Sequence, residues 1–122
     1  MKFLTISFSI FLMSLGALTP SVDQIFNTKL KITVIDELGN PVSGAKVTIF
    51  KNKFDYNAEK NPVRETEISN NKGQVTFKKI DPVAYYVLAK KGDMDNAGAG
   101  EIITELKKNK INKANVVISD GL

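Results

Sequence analysis

From Lys29 the chain alternates polar and apolar residues: in KLKITVID, Leu30, Ile32 and Val34 fall on one side and Lys31, Thr33 and Ile35 on the other. A period of two over that length marks a half-buried strand. ELGNPVSG (Glu37 to Gly44) then supplies the Gly, Asn and Pro of a turn, and AKVTIFKN resumes the period with Ala45, Val47 and Ile49 inward. KFDYNAEKNPV (Lys53 to Val63) reads as a long loop. RETEIS, NNKG (Asn70 to Gly73) and QVTFKKI read as a hairpin, because Asn and Gly tolerate the positive φ of such turns. VAYYVLAKKG is dense in aromatic and β-branched residues, as a central strand should be. After GDMDNAGAG (Gly92 to Gly100), EIITELKKNK and INKANVVISDGL read as two last strands joined near Asn109, with Ala114, Val116 and Ile118 inward. A helix over Glu101 to Lys110 is the competing reading there.

Seven short strands separated by turn signals predict an all-β fold, a seven-stranded two-sheet Greek-key sandwich. Lys31, Lys46, Thr48, Thr66 and Thr76 then mark its solvent faces or sheet edges. Ahead of the strands the pattern is different. MKFLTISFSIFLMSLGALTP places Lys2 before an uncharged, largely apolar run from Phe3 to Ala17, the layout of a signal peptide. The run is shorter than the ~20 residues that span a bilayer, and no Lys/Arg cluster follows it. Cleavage after Gly16 puts Ser14 and Gly16 at the small-residue positions, with a cut after Thr19 as the competing site. The expected organisation is a signal peptide over 1–16, a flexible segment over 17–28 and one sandwich domain over 29–122. Localisation is then periplasmic or extracellular, with no transmembrane segment in the mature chain.

Composition narrows the chemistry. There is no cysteine, hence no disulfide framework, acylated-cysteine anchor or thiolate metal site. Residues 1–28 hold one Lys and one Asp, so the remaining 16 basic and 12 acidic residues carry the whole net charge of +4. The cations are lysines apart from Arg64, which suits solubility better than the arginine forks of base recognition, and no nucleic-acid partner is expected. The cluster KKNK (Lys107 to Lys110) reads as a solvated hairpin end.

The residues ITVIDELGNPVSGAKVTIF, with Asp36, Gly39, Pro41, Val42, Gly44 and Ala45, and NNKGQVTFKKIDPVAYYVLAKKG, with Gly73, Phe77, Ile80, Tyr85 and Ala89, carry a resemblance. Their order resembles the bacterial carboxypeptidase regulatory-like, or transthyretin-like (prealbumin-like), β-sandwich from about Leu30 to Ile118. It is especially similar to a small subgroup of exported single-domain proteins with an AEKNPV-type loop and a GD-rich loop. The strand count by itself fits an immunoglobulin-like arrangement equally. The resemblance implies an accessory, adhesion or surface-interaction role. Transthyretin-like hydrolases use a histidine-rich pocket and an arginine; this chain has no His and a single Arg, so that activity is not implied.

Catalytic candidates are few. Glu65 and Glu67 share a strand face at i, i+2, yet read as a solvated charged face rather than a glycosidase pair. The GD-rich loop offers Asp93, Asp95 and Gly98 at EF-hand positions 1, 3 and 6, but Ala97 and Thr104 stand where ligands belong. A looser metal site of Asp93, Asp95 and Glu101 is the weak alternative to no metal at all. No cofactor and no catalytic residue are expected. The binding candidates are Phe54, Tyr56 and Asn57 in one loop and Asp93, Asp95 and Asn96 in the other, with at least one ring expected to anchor its loop on the core. The function expected is a non-catalytic exported binding or interaction module whose partner is a protein or envelope component. The alternatives are a carbohydrate-binding module using the 53–63 and 92–100 loops, or a purely structural envelope protein.

Overall fold

The computed structural model describes residues 27–97 and 102–120; the expected signal peptide, nearly all of the 17–28 segment and Glu101 lie outside the described residues. The chain forms strand β1 (Lys29–Ile35), β2 (Lys46–Phe50), helix α1 (Lys53–Ala58), β3 (Glu67–Ile68), β4 (Gln74–Lys78), β5 (Tyr85–Lys91), β6 (Met94–Asp95), β7 (Ile102–Ile103) and β8 (Ile111–Val117). One sheet has the order β4-β1-β8; the other has β3-β2-β5, with β6 and β7 sharing the far side of β5. The seven expected strands are present, and the extra one, β6, is two residues inside the stretch read as a loop.

The inward side chains follow the period of two. Leu30, Ile32 and Val34 of β1 are fully buried, beside Val75 and Phe77 of β4 and Val116 of β8. Val47 and Ile49 of β2 and Tyr85, Val87 and Ala89 of β5 close the core from the other sheet. Tyr85 is the largest fully buried side chain, and its hydroxyl donates to the Asp81 carbonyl at 2.7 Å. Burial first, and the Asp81 charge second, push its pKa up to about 12.

Two local expectations are corrected. NNKG does not close a hairpin: β3 pairs with β2 and β4 with β1, so the turn carries the chain from one sheet to the other. The local chemistry is that of any tight turn, with the Asn70 carboxamide oxygen accepting from the Lys72 and Gln74 N–H groups. Distant packing decides the direction. Gly73 has φ +76°, and a Cβ there would lie 2.6 Å from the Val34 carbonyl oxygen, so only glycine lets the turn close against β1.

The second correction is α1, in the segment read as an irregular loop. Asn52 caps it, accepting from the Asp55 N–H at 2.8 Å, and Glu59 ends it in the left-handed region at φ 53°. Six residues with one buried side chain, Tyr56, are too short to print a helical period. The competing helix over Glu101 to Lys110 does not form: among its described residues β7 is followed by irregular chain, and Asn109 turns at φ 64° into β8.

Candidate functional site

Helix α1 lies over the outer face of the five-stranded sheet. At 3.6 residues per turn Phe54 and Tyr56 point to nearly opposite sides, while Phe54 and Asn57 share one. Tyr56 turns inward: it is 6% exposed and sits edge-on to Phe50, with ring centroids 6.1 Å apart and planes at 83°, and 5.7 Å from Tyr86. Leu88 completes this second apolar cluster. The dense apolar run of β5 is thereby explained, since its odd-numbered residues face the core and its even-numbered ones the helix. Phe54, in contrast, is 79% exposed, and Asn57 is exposed beside it. The anchor ring and the presented ring of this segment are therefore Tyr56 and Phe54 respectively.

At the start of the helix an open cleft of ≈ 390 Å³ is lined by Lys51, Asn52, Asp55, Asn61, Arg64 and Asp81, among others. Asp55 accepts from the side-chain amides of Asn52 (3.1 Å) and Asn61 (3.3 Å). Lys51 Nζ stands 3.5 Å from Asp81 Oδ2. Arg64 spends its fork on backbone, donating to the carbonyls of Val63 (3.1 Å) and Lys79. Each carboxylate thus has a fixed partner, and none is paired with a nucleophile. Glu65 and Glu67 are exposed. The cleft offers amides, two anions and two cations, which suits recognition of polar groups.

The GD-rich segment is placed differently. Asn96 is 3% exposed and substitutes for a strand: its side chain accepts from Ala89 N–H (2.9 Å) and donates to Val87 C=O (2.8 Å), satisfying β5 between its pairings with β6 and β7. Asp95 accepts from the Ala97 N–H and lies opposite Lys90. Asp93 is exposed at the β5–β6 turn. Since Lys90 also meets Glu59 at the end of α1 (2.7 Å), Asp95 shares the outer face with the helix, whereas Asp93 stands at the far end from the cleft. Among the described residues no three carboxylates converge on a metal position, and the Glu101 of the looser site lies outside them. Lys51, Asn61, Arg64 and Asp81 escaped the reading of the sequence; the one local signal was the Asn52-x-x-Asp55 cap.

A family model, SpaA, described as the prealbumin-like fold domain, matches residues 28–117. The chain belongs to this SpaA prealbumin-like family. None of the curated proteins matches the chain in sequence. Solved structures similar to this chain include the group B streptococcus pilus 2b backbone protein (TM-score 0.53, 15% identity, 74% of this chain and 40% of that one). The Bacillus anthracis TIE protein matches with TM-score 0.54 and 21% identity over 75% of this chain and 16% of that one. BcpA, the major pilin subunit of Bacillus cereus, matches with TM-score 0.49 and 18% identity over 77% and 30%. The chain spans well under half the length of these proteins, and at such identities the likeness is one of fold. Among the described residues no helix is long and apolar enough to cross a membrane.

Proposed function

We propose that this chain is a non-catalytic interaction module, exported to the bacterial envelope or cell exterior, that holds a protein or envelope component against the α1 platform. The observation that carries this reading is the division of labour within one helix. Tyr56 locks α1 to the sheet while Phe54 is presented 79% exposed on the same helix, whose Asp55 lines a polar cleft. A ring held out on a rigid support supplies contact area at little entropic cost. Phe54 and Asn57, with Asp55, Asn61 and Asp81 of the cleft, are the contact residues; Asp95 extends the same face, and Asp93 sits apart at the β5–β6 turn. Membership of a family whose fold recurs in a pilus backbone protein supports a surface role.

The test is capture from envelope fractions with the chain as bait. Wild type should retain one specific partner, and Phe54→Ala and Asp81→Asn should each weaken retention while the far-ultraviolet dichroism stays unchanged. If both variants hold that partner as tightly as wild type, the platform is not the contact surface. The amide-rich cleft also favours a sugar as the bound group; soluble envelope oligosaccharides should then compete the partner away. Export itself predicts that protein recovered from its host has lost the leader up to about Gly16, which intact-mass measurement reads directly.

A further inference from the structure

The outer face of the three-stranded sheet is assembled from three separate parts of the sequence. Strand register aligns Lys78 with Lys29 and Ile111 in one row, and Thr76 with Lys31 and Lys113 in the next. Gln74, Thr33 and Asn115 form a third row. Because Leu30, Ile32, Phe77 and Val116 point into the core, all of these point away from it. Four lysines therefore lie on two adjacent rows, with neighbours ~4.8 Å apart across strands and ~6.6 Å apart along them by strand geometry. No Asp or Glu occupies any outward position of β1, β4 or β8. Lys110, whose carbonyl accepts from the Lys29 N–H, continues the basic tract into the exposed Lys107–Lys110 turn.

Like charges directly opposite one another on a sheet are destabilising, and here Lys29 faces Lys78 and Lys31 faces Lys113. Elsewhere this chain relieves such charge. Lys90, opposite Lys46, is held by Glu59 and also flanked by Asp95 in register. No ion pair among the described residues includes any of the four lysines; Glu65 and Glu67 share a hollow with Lys78, and Glu105 one with Lys113, outside ion-pair distance. We infer that this face docks a linear phosphate-bearing polyanion of the envelope, whose charges repeat at the spacing of the lysine rows. Lysines act as hydrated point charges, suited to a run of phosphates rather than to one shaped group. No outward position of these strands carries an aromatic residue on which a nucleic-acid base could stack. The site is on the opposite side of the sandwich from α1 and independent of it.

The test uses the full chain and long-chain inorganic polyphosphate, titrated at low salt, with vesicles containing an anionic phospholipid as the second arm. Wild type should bind polyphosphate, with affinity falling as salt rises. The double variant Lys31→Glu/Lys113→Glu should lose at least ~10-fold in affinity, while Lys53→Glu/Lys60→Glu on the α1 side, with the same change of net charge, should lose little. The single variant Lys113→Glu keeps the experiment decisive if the double variant folds poorly. It turns a like-charged pair into an opposite one, so it should melt a few degrees higher while binding polyphosphate more weakly, a pairing that damage to the fold cannot produce. Equal losses in both double variants would overturn the proposal as a mere effect of net charge. Binding to vesicles but not to polyphosphate would overturn it in favour of a lipid surface, and binding to neither would overturn it outright. Retention of the envelope partner on α1 is unaffected by any of these results.

Discussion

The two outer faces of the sandwich are built on strands of the same kind and end up unlike each other. Over the five-stranded sheet, Phe50, Tyr86 and Leu88 require cover, and α1 supplies it with one buried ring, Tyr56. Charge is settled there too, through Glu59 and Lys90. Over the three-stranded sheet the outward positions are Lys, Thr, Gln and Asn with a few aliphatics; among the described residues none of the four lysines is in an ion pair, and the carboxylates that share a hollow with them, Glu65 and Glu67 with Lys78 and Glu105 with Lys113, stand off the strand rows. One face has been finished by the chain itself and presents a ring on the finishing element; the other is left open and cationic. A shared core permits the difference, because the inward residues fix the fold and leave the outward ones to vary.

Breaking what the faces share has the largest effect. Phe77 is 2% exposed against Leu30, and Phe77→Ala should lower stability by about 3–5 kcal/mol in denaturant unfolding, disabling both faces together. Tyr56→Ala should cost less, about 1.5–3 kcal/mol, and should act on one face only. Amide exchange should rise over residues 53–58 while β1 and β8 keep their protection. Asn96→Ala removes two hydrogen bonds from the middle of β5 and should cost about 1–3 kcal/mol through the unsatisfied backbone groups it leaves. Phe54→Ala, by contrast, should change stability by no more than about 0.5 kcal/mol while weakening partner retention.

Tyr85 gives a pH signature of the core rather than of either face. Its pKa is raised from 10.0 to about 12, so the native state holds the phenol proton more tightly than the unfolded chain. The corresponding stability is fully present below pH 10 and is lost as pH rises through 12. Melting temperature should therefore fall across that window, and Tyr85→Phe should fall less steeply.

How much of this was legible depends on which interaction carries the information. β1, β2, β4, β5 and β8 could be read because alternation is written residue by residue, and Val47, Phe77 and Tyr85 are indeed core. The family resemblance was legible for the same reason, resting on turn glycines and inward apolar positions. Helix α1 was hidden because its stability comes from a ring packing onto another strand. The NNKG turn was misassigned because local chemistry does not say which sheet the chain enters next. Asn96 read as a binding residue, and its side chain also stands in for a strand, a role visible only once β5 is seen to lack a strand neighbour there among the described residues. Lys31 and Lys46 both read as solvent-face residues, and register puts them on opposite faces. The lysine rows could not be read at all, since Lys29, Lys78 and Lys113 come together only through pairing between distant strands.

Two faces so unlike in finish and charge should meet different partners. Lysine-reactivity footprinting of the full chain by mass spectrometry addresses both at once, with polyphosphate and with the captured envelope partner in separate samples. Polyphosphate should protect Lys29, Lys31, Lys78 and Lys113 and leave Lys53 and Lys60 reactive, while the partner should reverse that pattern. Uniform protection of all six lysines by both, or the same subset by each, would contradict it.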